Sequence, residues 1–412
     1  MTTNNTRLFK KSLLAVTITL ASSQAMAAGF QLNAQSATGI GRAFAGDAVI
    51  ADNASVMARN PAAMALFDSV ELSLGFESIT SMIEVKDAKY YPGGITANPN
   101  APSANYDDAG DTSIAPNIHL IVPVNDKFAW GVNAYSNFGT KTEFSADYAG
   151  NEFGGLTDVQ SVNFGLAGSY RLNEQWSFGA GLDLIYGKGE LQRPNPMGAP
   201  GDALDVDADG WALGFNVGTV FELDENNRFG LAYHYSPELE AKGDISYSGT
   251  EYKNDTLYMP LPDLLEFSGY HRIENTKFAV HYSVQWIGWS SFDKLEAKDA
   301  GVLNDYEWQD GWHYSIGGTY YLNTDWTLRA GYMYDTSAQD EITSISVPDS
   351  DRQWFSAGFT YHIDTASNVD FGFTYLLGDD VSVNETSVPA ASVTGTTHAD
   401  AILLGLQYSR SF

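Results

Sequence analysis

From residue 70 to the end of the chain, apolar and polar positions alternate one for one. Trp176, Phe178, Ala180, Leu182, Leu184 and Tyr186 make one apolar row, and Trp211, Leu213, Phe215, Val217, Thr219 and Phe221 another. Phe355, Ala357, Phe359, Tyr361 and Ile363 repeat it, as do Val369, Phe371, Phe373, Tyr375 and Leu377. Alternation places every second side chain on one face of a β-strand. The pattern alone fits a soluble sandwich as well as a membrane barrel, and the connections separate them. Short connections (Asn125-Asp126-Lys127, Asn173-Glu174, 224–227, Glu274-Asn275, Asn323-Thr324-Asp325, 364–368) alternate with long ones at 81–112, 140–157, 191–207, 248–260, 297–306, 346–350 and 382–397. Six short turns and seven long connections predict a 14-stranded antiparallel β-barrel with both chain ends on one side. Trp130, Trp176, Tyr186, Trp211, Phe221, Trp326 and Tyr334 fall at strand ends, where the aromatic girdles of a membrane barrel sit.

Both ends of the chain add to this reading. Arg7, Lys10 and Lys11 precede a short apolar stretch over 12–21, and Ala25-Met26-Ala27 has the small-x-small form of a cleavage site. Residues 1–27 are therefore expected to be a signal peptide. Residues 28–69 show no two-residue period and are rich in Ala and Gly. They also hold Phe30, Leu32, Ile40, Phe44, Val49, Ile50, Met57, Met64, Leu66 and Phe67. That much apolar surface needs cover, so a small plug inside the barrel is expected rather than a free tail. The barrel proper then spans 70–412. Ile402, Leu404, Leu406, Tyr408 and Phe412 end it in a way that resembles the signal bacterial outer-membrane barrels present to their assembly machinery.

Composition narrows the function. The 412 residues carry 22 Lys+Arg against 51 Asp+Glu, a net charge of −29, which excludes nucleic acid as a partner. There is no Cys, hence no disulfide or thiolate site. Asp205-Val206-Asp207-Ala208-Asp209-Gly210 matches half of a calcium loop, but its twelfth position is Asn216, and an acidic surface loop is the better reading. Neither a metal nor a cofactor is expected. His119, His234, His281, His313 and His362 fall in the polar phase of their strands, facing the lumen. Without a nucleophile motif or a metal-binding His pair, they read as lumen residues and not as catalysts. Lys188 and Arg193, at the end of the fifth strand and the start of its loop, are basic residues placed either to meet a carboxylate in the outer lumen or to balance charge on a very acidic surface.

The order of several short motifs carries a resemblance. They are Ala28-Gly29-Phe30-Gln31-Leu32-Asn33, Gly39-Ile40-Gly41-Arg42-Ala43, Ile50-Ala51-Asp52-Asn53, Arg59-Asn60-Pro61-Ala62, Ser136-Asn137-Phe138-Gly139, Ser346-Val347-Pro348-Asp349-Ser350-Asp351-Arg352 and Asn368-Val369-Asp370-Phe371-Gly372. In this spacing they resemble the FadL-type long-chain fatty acid transporters of Gram-negative outer membranes, over residues 28–412. The resemblance implies a 14-stranded barrel closed by an N-terminal hatch whose motif includes Asn60, Pro61 and Ala62. It implies capture of the ligand among the outer loops and its transfer to a lumen pocket, where Phe30, Lys188 and Arg193 are the expected ligand-binding residues. It further implies exit sideways into the membrane at Ser136, Asn137, Phe138 and Gly139, past the lipopolysaccharide layer. Read from the residues alone, Asn137 and Gly139 mark either a bulge or the end of the strand begun at Phe128, Trp130 and Val132; the resemblance favours a kink. The chain departs from the family at Glu307-Trp308-Gln309-Asp310, where a basic residue is expected and none stands. This leaves other hydrophobic compounds, such as aromatic hydrocarbons, as the alternative cargo.

Overall fold

A computed structural model of the chain describes residues 29–33, 35–93, 98–195, 200–387 and 391–412. The expected leader 1–27 and its cleavage point before Ala28 lie outside the described residues. Among the described residues, twenty strands form one sheet. In chain order these are β1 (Glu71–Pro92), β2 (Thr112–Pro123), β3 (Phe128–Tyr135) with its continuation β4 (Gly139–Glu143), β5 (Leu156–Arg171), β6 (Trp176–Pro194), β7 (Asp202–Asp224) and β8 (Asn227–Tyr235). A loop hairpin follows, β9 (Leu239–Tyr247) and β10 (Thr250–Met259), then ring strands β11 (Leu264–Arg272) and β12 (Phe278–Ile287). A second loop pair, β13 (Lys294–Ala297) and β14 (Gly301–Asp305), precedes β15 (Gly311–Tyr321), β16 (Trp326–Asp335), β17 (Arg352–His362) and β18 (Ser367–Gly378). Loop strand β19 (Val381–Ser387) leads to the last ring strand, β20 (Ala391–Ser411).

With β3 and β4 counted as one, fourteen strands run antiparallel around a ring. It closes where β20 pairs with β1, from Glu71↔Ser411 to Pro92↔Ala391. The expected barrel and strand number hold. On the side of the short turns, side chains shape the chain reversals. Asn125, Asn173 and Asn323 each accept, through Oδ1, from the amides two and three residues on, and Asp224 and Asp364 accept from the amide two on. Such Asx turns reverse the chain in few residues. The outward face of the wall carries exposed apolar side chains such as Leu182, Leu184, Leu213 and Ile316, and the inward face carries Ser177, Asp183, Asn216 and His281. This is the apolar-out, polar-in alternation of a barrel in lipid.

The outer loops differ from their expected limits. The β6–β7 hairpin continues well above the membrane band, so the connection expected over 191–207 shrinks to 195–201. Asp205, Asp207 and Asp209 consequently stand on the exposed face of a strand and not in a loop. The strand expected to run up to 247 instead ends at Tyr235, just before Ser236-Pro237; proline has no amide to give to a ladder, and β9 starts anew.

Residues 29–33 and 35–67 pack against the inner side of this ring. They contain one helical turn, α1 (Ala37–Ile40), capped by Ser36, and two 3-10 turns, Ala54–Ala58 and Pro61–Leu66, capped by Asn53 and Asn60. Pro61 occupies the first position of its turn, where a missing amide costs nothing. The segment bonds to the wall on several sides: the Ala48 amide to Ser268 Oγ at 3.1 Å, Thr374 Oγ1 to the Ile40 carbonyl at 3.0 Å, and Asn60 Nδ2 to the Thr219 carbonyl at 3.1 Å. Glycines in the wall admit its backbone. A Cβ on Gly179 would lie 2.3 Å from the Ala62 nitrogen, and one on Gly372 2.2 Å from the Ala37 oxygen. Ion pairs add to the hold: Arg59 with Glu266 of β11, buried, and Arg329 of β16 with the partly exposed Asp52, while Arg42 pairs with Asp47 and Asp52 inside the segment.

Candidate functional site

The third wall strand is interrupted where the sequence placed Asn137 and Gly139. β3 pairs with β5 as far as Tyr135↔Asn163, and β4 resumes at Gly139↔Gln160. Three residues, Ser136, Asn137 and Phe138, therefore face two, Ser161 and Val162. Ser161 holds the bulge: its Oγ accepts from the Phe138 amide at 2.9 Å and donates to Asn137 Oδ1 at 2.8 Å. On the other side, β2 pairs with β3 only from Pro123↔Ala129 to Ile118↔Ala134. Among the described residues, 112–117 of β2 pair with β1 alone, and β4 has no β2 partner. The two edges meet again above, where the Glu143 amide donates to the Ala109 carbonyl at 3.0 Å and Lys141 Nζ reaches Asp111 at 2.9 Å.

The beginning of the described chain covers the free edge of the kink. The Leu32 amide donates to the Asn137 carbonyl at 2.8 Å, and the Gly139 amide donates to the Phe30 carbonyl at 2.9 Å. The Phe30 side chain projects into an apolar pocket under the outer loops. Its ring centroid lies 4.5 Å from Trp289, 5.4 Å from Phe292, 5.7 Å from Trp308 and 6.3 Å from Phe138. Leu191, Leu257, Met259, Leu295 and Tyr306 line the same pocket, which holds about 430 Å³ of atom-free space including its solvent-open mouth. Gly29 makes the close approach possible. Its φ is +66°, and a Cβ there would lie 2.6 Å from both Trp289 and Trp308.

The two expected basic residues part company. Arg193 reaches the pocket rim: Nη2 donates to Thr157 Oγ1 at 2.7 Å, and Thr157 lines the pocket. Its other bonds go to the Leu156 and Gln192 carbonyls. Lys188 lies on the opposite face of β6. Gly187, Gly189 and Leu191 point inward, whereas Lys188 shares the outward phase with Tyr186 and Glu190 and pairs with Glu190 and Asp207. It is therefore not placed to touch a ligand in the pocket. Nearby, in the outer loops, burial pushes the Glu385 carboxyl up to about 7, against the opposing pull of the Ile345 amide it accepts at 2.6 Å.

Deeper in the lumen the lining turns polar. Gln31, Arg59, Asn137, Asn163, Asp183, His234, Glu266 and Gln285 surround a second cavity. Arg59 spans it, pairing with Glu266 at 2.6 Å and donating to Asn33 at 2.9 Å. Asn60, Pro61 and Ala62 sit apart from the pocket, packed on β5, β6 and β7. The histidines bond as lumen residues: His119 to the Gln35 carbonyl, His234 to the Arg59 carbonyl, His281 to Thr319 and His313 to Gln285.

Over residues 18–412 the sequence matches the family described as "Outer membrane protein transport protein (OMPP1/FadL/TodX)". The chain belongs to this family. It is 35% identical to the long-chain fatty acid transport protein of Escherichia coli O6:H1, covering 98% of this chain and 99% of that one. It is 34% identical to outer membrane protein P1 of Haemophilus influenzae, covering 97% and 99%. In three dimensions it is similar to a Pseudomonas aeruginosa FadL homologue (TM-score 0.82, 22% identity, 93% of this chain and 100% of that one). It is also similar to the Ralstonia pickettii toluene transporter TbuX (TM-score 0.67, 16% identity, 92% and 98%). As a FadL-family member the protein is an outer-membrane transporter of hydrophobic compounds, and the family is one of channels and not of enzymes.

Sequence reasoning missed the aromatic wall of the pocket. Trp289, Phe292, Tyr306 and Trp308 lie in or beside the β12–β15 loop, outside any two-residue period. The one available signal was the density of rings over 286–308, an unusual content for an outer loop.

Proposed function

We propose that the protein mediates passive uptake of long-chain fatty acids. Ligand is captured among the outer loops and enters the pocket around Phe30. Residues 28–69 act as a hatch that moves, and ligand leaves sideways between β2 and β4. The leader at 1–27 and the assembly signal at Phe412 bring the chain to the membrane through the barrel-assembly machinery.

The observation that carries the reading is the double role of Phe30. Its ring fills the apolar pocket, and its carbonyl holds the Gly139 amide at the kink. A ligand that displaces the ring therefore also pulls on the backbone covering the side opening. The physics favours a lateral route. A fatty acid tail crossing a water-filled pore would forgo about 0.8 kcal/mol per CH₂ of burial, and exit into the bilayer avoids that exposure and the polar lipopolysaccharide layer. Arg193, behind Thr157, supplies positive potential at the pocket rim. The pocket lining holds no Lys, Arg, Asp or Glu, and this favours aromatic hydrocarbons as the alternative cargo.

The test is uptake of labelled oleate and labelled toluene by cells lacking other transporters of this family. Wild-type protein should restore oleate uptake. Deleting Asn137 makes the two facing strands equal in length across the bulge and should close the wall. Oleate uptake is then expected to fall to background with the barrel still heat-modifiable. Wild-type uptake by that variant would exclude the side exit. Uptake of toluene but not oleate by the wild type would replace the cargo.

A further inference from the structure

Two donors around Phe30 are left without an acceptor. Trp289 and Trp308 are both buried, and among the described residues neither indole Nε1–H has a hydrogen-bond partner. An indole nitrogen can only donate, and leaving a buried donor unmade is costly. The rings stand 5.0 Å apart at 77°, and both pack against Phe30. The Cε2–Cζ2 side of Trp289 faces Gly29: a Cβ at residue 29 would lie 2.6 Å from Cε2, the carbon bonded to Nε1, and 2.8 Å from Cζ2. Withdrawal of Gly29 and Phe30 would uncover that side of the Trp289 ring. Trp308 lines the pocket directly, in the stretch where the sequence carries no basic residue.

We infer that the indole N–H groups of Trp289 and Trp308 are the headgroup-recognition site of the pocket, donating to an oxygen of the ligand once Phe30 is displaced. This rests on the uptake reading above and deepens it. A neutral donor pair in an apolar chamber accepts any amphiphile whose head carries a hydrogen-bond acceptor. It discriminates against the bare hydrocarbon of the same shape, because that ligand leaves the donors unpaired. Aromatic rings supply the tail contacts and their N–H edges the polarity, so the pocket selects an oxygen-bearing chain without a cationic clamp.

The experiment uses the full-length protein in lipid nanodiscs with oleate and cis-8-heptadecene, the same chain without its carboxylate. In ¹⁵N-indole spectra, assigned with W289F and W308F, oleate should shift the Trp289 and Trp308 signals downfield and heptadecene should not. Trp354 serves as the internal control, since its Nε1 is equally buried and unpartnered but packs on Phe44, in a cluster apart from the pocket. W308F should weaken oleate binding about tenfold, the size expected for one hydrogen bond to a charged acceptor, and heptadecene binding less than about twofold. Oleate binding with both indole signals unmoved would overturn the inference and leave the uptake reading standing. So would an equal loss of both ligands in W308F, which would reduce the ring to a packing role. If wild type binds neither ligand, the pocket reading fails and the headgroup site falls with it.

Discussion

Asn60 donates to the carbonyl of Thr219 at 3.1 Å, tying the inner segment to wall strand β7 near its short-turn end. The same carboxamide donates to the Ala48 carbonyl at 2.8 Å and accepts the Ala62 amide at 3.0 Å. Asn60 thus caps a turn, ties two parts of the segment together and anchors both to the wall. Asn60→Ala removes the cap, worth about 1 kcal/mol, and leaves a buried carbonyl unpaired, worth about 1–3 kcal/mol more. The expected outcome is a barrel of normal heat-modifiability whose single-channel conductance rises in frequent bursts. Conductance equal to wild type would place the anchor elsewhere.

Gly179 offers a complementary test from the side of the wall. A methyl group there would sit 2.3 Å from the Ala62 nitrogen and from the Pro61 carbonyl carbon, both backbone atoms. Gly179→Ala should therefore push the segment off β6 while the strand itself stays paired. Limited trypsin digestion of the folded protein should then cut after Arg59, a site buried in wild type.

Asp52 joins two guanidinium groups, Arg42 of the inner segment at 2.9 Å and Arg329 of the wall at 3.1 Å. Asp52→Ala leaves both short of a partner. The cost is about 3 kcal/mol, the low end for breaking a buried pair, since the Asp52 side chain is 24% exposed. Arg42 keeps Asp47, so the segment should stay docked in buffer yet release at lower urea than wild type, read as the onset of conductance.

The outer loops should respond to pH through Glu385. Its carboxyl, raised by burial to about 7 from 4.5, accepts the Ile345 amide in the β16–β17 loop. A raised folded-state value means the buried placement of this carboxyl is most favourable below pH 4.5 and loses stability as pH climbs to about 7, because ionisation in the buried site outweighs the gain in the Ile345 bond. Hydrogen exchange at Ile345, corrected for intrinsic rates, should therefore be slower at pH 5 than at pH 8. Glu385→Gln should remove the dependence.

The wall was legible because lipid outside and a wet lumen inside enforce a strict two-residue period, and each short turn announces itself with Asn or Asp. The same period decided the basic residues. The row Trp176, Phe178, Leu182, Leu184, Tyr186 continues through Lys188, which puts it outside, while Arg193 shares the phase of Leu191. Proximity to the strand end misled the expectation for Lys188 where phase would have corrected it. Above the membrane the alternation persists in β7, with Leu204, Val206 and Ala208 buried and Asp205, Asp207 and Asp209 exposed, but its outward row is acidic and reads as loop. The extension of β6 and β7 was hidden for that reason, whereas the ring cluster of Trp289, Phe292 and Trp308 lies in a loop where no period runs. Its members are brought together by loop folding and by Phe30 from the far end of the chain.

The ring has a seam, and the inner segment is tethered to it. Glu71 opens β1 only a few residues after Phe67, and β1 pairs with β20, the last strand to be made. Until Phe412 donates its amide to the Val70 carbonyl, the wall is an open ribbon with two bare edges, each a template for a wrong partner. Residues 29–67 are at that stage a cargo hung from one of those edges. Zipping β20 onto β1 shuts the ribbon around them, so the same step that finishes the wall also imprisons its contents.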